Sequence, residues 1–184
     1  MTREFINSLH ILKEWIIKNE TILNRTKWIN GQEITETEYL RFNTQPISEE
    51  ELTAIKELTH NLLPPTYYLF LEEIGCGQFF ISEYLPSFEI YNLVELQENI
   101  QVIQHEILEA DEVITDQFIM IGTHCSMGDW MGFCTTKNEE NNYDVFCHEY
   151  PLEEYVETSD ELKSWRTFEE WIIKAVETKG SKTL

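Results

Sequence analysis

The sequence predicts an α+β domain: a central, mostly antiparallel sheet flanked by helices, with a leading helix before it and a closing helix after it. Three observations carry this class. Apolar residues recur at three and four in several segments, as on one face of a helix. Three short apolar runs crowd between residues 118 and 149, where hairpins are the economical connection. The helical segments stand before and after these runs rather than alternating regularly with strands, which argues for α+β.

Taken in order, Phe5, Leu9, Leu12 and Ile16 form the apolar stripe of a leading helix over residues 3–18. Residues 19–47 are mixed and polar, with a possible short strand at Trp28-Ile29 before the turn pair Asn30-Gly31. Ser48 with Glu51 three residues on reads as a capping box, starting a helix whose buried face takes in Leu52, Ile55 and Leu58 and extends toward Leu62. Pro64-Pro65 ends that helix and opens the next, because proline lacks the N–H for a helix interior but suits a first turn. Tyr67, Leu71 and Ile74 face inward there, and Gly75 supplies the left-handed stop. Extended chain broken at Pro86 follows, then an amphipathic helix with Leu93, Leu96, Ile100, Ile103 and Ile107. The strand candidates are 118–125, 130–136 and 143–149. Trp165, Phe168, Trp171, Ile172 and Ala175 mark the closing helix. The organisation expected is a helical extension packed on the domain over 1–44, the domain proper over 45–176 and a tail over 177–184.

Composition bounds function. Hydrophobic residues make up 42% of 184, enough for a real core. Against 13 Lys+Arg stand 34 Asp+Glu, a net charge of −21. Such a surface repels nucleic acid, whose binding requires cations to displace counterions, and it repels anionic lipid. It attracts basic proteins and speeds their association. The N-terminal "MTREFINSLHILKEW" carries charges where a secretory segment would be apolar, and no apolar run approaches the roughly 20 residues of a membrane helix. The expectation is a cytoplasmic protein with reduced thiols at Cys76, Cys125, Cys134 and Cys147.

Enzyme signatures are missing. There is no Gly-x-Ser-x-Gly and no phosphate loop, and "GCG" lacks the third glycine of a dinucleotide site. His124-Cys125, Cys134 and Cys147-His148 fall on neighbouring predicted strands and suggest a metal cluster. Adjacent residues of a strand point to opposite faces, however, and no Cys-x₂₋₄-Cys knuckle occurs. The reading is no metal, no cofactor and no catalytic set. His105 and Glu109, one helical turn apart, read as a solvated face.

Four elements in order resemble the SMI1/KNR4 family of the SUKH superfamily: the capped acidic helix "ISEEELTAIKEL", then "LLPPTYYLFLEEIGCGQFF", then "FIMIGTHCSMGDWMGF", and the closing "SWRTFEEWIIKAV". The likeness spans roughly residues 45–176. Cys76 between Gly75 and Gly77, and His124-Cys125 before the Gly-Asp turn, depart from the family pattern. The resemblance implies a partly antiparallel sheet with helices on one side and no catalytic residues. It implies a cytoplasmic immunity protein that binds and neutralises a cognate polymorphic toxin, often a nuclease; fungal relatives are regulatory interaction hubs, the alternative reading.

The candidate partner-binding residues follow from charge and aromatic content. "EILEADEVITD" places Glu109, Asp111 and Glu112 together, and "YPLEEYVETSDE", with the residue before it, places Glu149, Tyr150, Glu153, Glu154 and Tyr155 together. Carboxylates would steer a basic partner and tyrosines would anchor it. At the Gly-Asp turn, Trp130 is a candidate anchor; Asp129 is a candidate contact, with turn capping as its competing role. The expected partner is a basic toxin domain; the oligomeric state is left open.

Overall fold

In the computed structural model, which describes residues 1–83, 85–111, 113–125, 128–137, 142–147 and 151–182, helix α1 (Arg3–Lys18) starts where the Thr2 side chain accepts a hydrogen bond from the Phe5 amide. It stops at Asn19, whose φ of 51° breaks the right-handed run. The chain then forms a long hairpin, β1 (Thr21–Ile29) and β2 (Gln32–Gln45). Asn30 and Gly31 turn it with φ of 52° and 78°, the positive pair that a two-residue type I′ turn requires.

This hairpin corrects the expected helical extension over 1–44. Its distal half is exposed on both faces, so "TILNRTKWI" shows no alternation between apolar and polar residues. Cross-strand pairs hold it instead: Arg25 meets Glu38 at 2.8 Å, and Lys27 pairs with Glu36. Because β2 runs on to Gln45 and pairs with the next strand, the expected boundary at 44/45 falls inside a strand.

Helix α2 (Glu49–Leu58) has its capping box in place: Ser48 accepts from the Glu51 amide and Glu51 accepts from the Ser48 amide. Such caps stabilise a helix by about 1 kcal/mol. Helix α3 (Pro65–Glu73) begins at the proline pair. Beyond it Gly75, at φ 94°, donates its N–H to the Leu71 carbonyl at 3.0 Å. Strands β3 (Cys76–Ile81) and β4 (Phe88–Ile90) follow, then α4 (Leu93–Glu109), β5 (Phe118–His124), β6 (Asp129–Cys134), β7 (Tyr143–Phe146), α5 (Leu152–Leu162) and α6 (Phe168–Glu177). The described strands form one antiparallel meander in chain order from β1 to β7.

Alternation along the strands divides the core in two. On one side Phe79, Phe88, Met131, Phe133 and Tyr143 pack with α1, α2, α3 and α6. On the other, Phe118, Met120, Cys134 and Phe146 pack with Ile103 of α4 and with Leu152 and Tyr155 of α5. Helices therefore cover both faces, not the single face that the resemblance implied. The leading and closing helices pack together, and the Thr2 amide donates to Glu169 Oε1 at 2.7 Å. Helix α5 falls on a segment that the sequence marks chiefly by its acid content; the inward Leu152, Tyr155 and Ser159, spaced at three and four, carry its helical signal. Trp165 stands before α6 and packs in the second core.

One carboxylate lies inside this frame. Asp144 of β7 is 1% exposed and accepts from the Val145 amide at 2.8 Å and the Ser164 hydroxyl at 2.5 Å. Burial still raises its pKa above the ordinary 3.8, with Ser164, Ser159, Val145 and Arg166 opposing. The folded chain thus holds this proton more tightly than the unfolded chain. The resulting stabilisation is complete below 3.8 and is lost as pH rises through the folded value. Urea midpoints measured across that range should fall less steeply with pH in Asp144→Asn than in the wild type; parallel slopes would contradict the assignment.

Candidate protein-binding surface

Helix α4 is the backbone of the surface. Asn92 caps it by accepting from the Val94 and Glu95 amides at 2.9 and 3.0 Å, while Glu95 accepts from the Asn92 amide at 2.8 Å. Leu96 and Ile103 are buried, which turns Glu98, Glu106 and Glu109 to solvent. Helix α5 carries Glu153 and Glu154 in its first turn, where the helix dipole favours acid. It packs beside α4 over the same end of the sheet. The two acidic segments, more than 30 residues apart in the chain, thereby share one surface. Apolar side chains stand among the carboxylates: Leu108 is 82% exposed and Val113 is 93% exposed.

The predicted residues divide on this surface. Glu109 and Asp111 are exposed; Glu109 meets His105 Nε2 at 3.5 Å. Glu154 is exposed and Glu153 half-buried. Tyr155 is corrected: its ring lies 4.2 Å from that of Phe146 and its hydroxyl donates to the Val145 carbonyl, so it anchors α5 from beneath. Asp129 is corrected as a partner contact too, because it is 6% exposed and stands opposite His124 in register. Burial lowers the His124 pKa while Asp129 pulls it up. Glu112, Glu149 and Tyr150 lie outside the described residues, as does His148. Asp160 is engaged by Lys137 and by Trp165 Nε1 (2.7 Å), which hold its carboxyl below the usual range.

Trp130 is half-buried on the second face of the sheet, between Thr123 and Phe146 in register. Its neighbours there, Glu89, Tyr91 and Thr123, escaped the sequence reading. The Tyr91 and Thr123 hydroxyls are 2.5 Å apart. A signal existed: residues 57–136 contain 13 Asp+Glu and not one Lys or Arg. Every strand from β3 to β6 and all of α4 come from that stretch.

Register places Cys134 on the α4–α5 side of the sheet and His124 on the other. Among the described residues, no group of three or more His, Cys, Asp or Glu is arranged to hold a metal ion. Burial pushes Cys76 and Cys125 up to about 11, so both are protonated at neutral pH. Among the described residues no helix is long and apolar enough to cross a membrane.

A curled antiparallel sheet between two helical layers, bearing one acidic and partly apolar surface, defines an α+β interaction domain. The chain belongs to the SMI1 / KNR4 family (SUKH-1), whose sequence profile matches residues 46–174. It is similar to immunity protein RhsIB of Dickeya dadantii (strain 3937), 24% identical over 160 residues, which cover 84% of this chain and 92% of that protein. No solved structure gives a significant match.

Proposed function

We propose that this chain is a cytoplasmic immunity protein that binds a cognate toxin in a stoichiometric complex and blocks it by occlusion, without catalysis. The observation that carries this reading is the joining of two acidic segments on α4 and α5 around exposed Leu108 and Val113. Carboxylates accelerate encounter with a basic partner, and apolar side chains within the patch supply burial once it docks. Family membership and the similarity to immunity protein RhsIB support the same role. The target is a basic nuclease domain, since an enzyme that handles a polyanion presents a cationic face, and a chain of −21 charge is its complement.

The test is capture from the protein's own cells with a tagged chain, partners being identified by mass. One basic protein, toxic when expressed alone and harmless with this chain, is the expected result. Recovery of kinases or cell-wall enzymes would move the function to regulation. With the captured toxin in hand, joint replacement of Glu106, Glu109, Glu154 and Glu157 by Lys should slow association about tenfold or more at low salt. It should also flatten the dependence of the association rate on ionic strength. An unchanged rate would place the docking surface elsewhere.

A further inference from the structure

The second face of the sheet is open where α4 and α5 leave it. Register aligns Asn43, Gln78, Glu89, Thr123 and Trp130 across β2 to β6, a single row of side chains on one face. Asn43 is exposed and the other four are half-buried, while Phe79 and Phe88, on the opposite face of β3 and β4, are fully buried. Solvent, or a partner, therefore reaches this row from one side.

Glu89 sits at its centre, and the charges around it are negative. Glu95, held at the start of α4 by its bond to the Asn92 amide, acts on Glu89 and raises its pKa after burial has done so; a hydrogen bond with Gln78 opposes. Tyr91 and Cys125 feel Glu89 in the same sense, and Cys76 feels both Glu89 and Glu95. None of the largest influences on these four comes from a Lys or Arg. Arg41, on the same face of β2, is not among those acting on Glu89. Sequence explains the imbalance, because β3, β4, α4, β5 and β6 all lie within the cation-free stretch 57–136. A half-buried carboxylate on a sheet face, with an indole in its own row and no Lys or Arg on its own strand or on the strands to either side of it, fits a guanidinium from outside. The planar group can donate a fork-shaped pair of hydrogen bonds to the carboxylate and stack on the indole, which an ammonium cannot do.

We propose that this row is the seat for one arginine side chain of the basic partner protein, with Glu89 as its counter-ion and Trp130 as its stacking wall. The proposal rests on the reading of the chain as a binder of a basic protein and adds the contact that would give that binding its specificity.

The probe is N-acetyl-arginine methylamide, titrated into the full chain while the Glu89 carboxyl carbon and the Trp130 indole are followed by NMR. Saturable shifts at both groups, abolished in Glu89→Gln, are expected, with the lysine analogue binding more weakly. Glu89→Gln keeps the shape of the side chain, and an unchanged circular dichroism spectrum verifies its fold. Non-saturating shifts spread over all surface carboxylates, or identical titrations of wild type and variant, would overturn the seat. Equal affinity for the lysine analogue would overturn its assignment to arginine. A second arm uses the toxin captured by the wild type: Glu89→Gln should weaken that complex at least about tenfold. Unchanged affinity would sink this inference and leave the immunity reading intact. Failure of the wild type to capture any toxin would sink the immunity reading, and the arginine titration would still decide the seat.

Discussion

Trp171→Ala is expected to lower the unfolding free energy by about 3–5 kcal/mol, the range for deleting a large buried aromatic. Trp171 is 0% exposed, and its ring centroid lies 4.6 Å from Phe88, 5.0 Å from Tyr143 and 5.8 Å from Phe168. It thus joins the closing helix to β4 and β7, and the rigid rings around it cannot bend into the void. Total stability of a domain is only about 5–15 kcal/mol, so much of the margin would go. Urea unfolding followed by circular dichroism measures this directly. Trp171→Phe should lose much less, because a ring remains against Phe88 and the variant drops a buried indole N–H that has no hydrogen-bond partner among the described residues. A loss below about 1 kcal/mol for the alanine variant would show that α6 is not a main support of the sheet.

Gly122→Ala is the second large effect, and its cause is the reverse: too little room rather than too much. A Cβ at Gly122 would lie 2.0 Å from the Glu89 carbonyl oxygen and 2.9 Å from Met131 Cε. The methionine end can swing aside. The carbonyl cannot, because β4 is held between β3 and β5 at Gly77, Ile90 and Gly122. Either β4 shifts or β5 bends, at a cost of about 3 kcal/mol or more. The same shift would displace Glu89, so arginine binding at the open row should weaken along with stability. Thermal unfolding and the arginine titration on one sample would measure both. A variant of wild-type stability would refute the close approach.

Much of the fold was legible because its signals are local. The Ser48–Glu51 box, the Pro64-Pro65 corner, the left-handed Gly75 and the apolar stripe of α4 each depend on residues within one or two turns. The β1–β2 hairpin was not legible, since a ribbon solvated on both faces has no alternation to read. Helix α5 was overlooked because its carboxylates drew attention from the inward spacing of Leu152, Tyr155 and Ser159. The surface residues fared unevenly for a related reason. Glu109 and Glu154 face solvent, whereas Tyr155, a ring with a polar tip, and Asp129, beside a turn, could each have pointed either way, and both point in.

The sequence by itself determined the α+β class, the order and ends of most helices, and the family. These rest on composition and on spacings of a few residues. Only the tertiary structure decided that helices cover both faces of the sheet, that the acidic segments of α4 and α5 share one surface, and that Glu89 stands in a row with Trp130. Those facts depend on strand register, where a slip of one residue would send every side chain to the opposite face. Register is set by the pairing of neighbouring strands in the meander, two of whose links in that row (Asn43 with Gln78, Glu89 with Thr123) join residues more than 30 apart in the chain, together with the packing of α4 and α5.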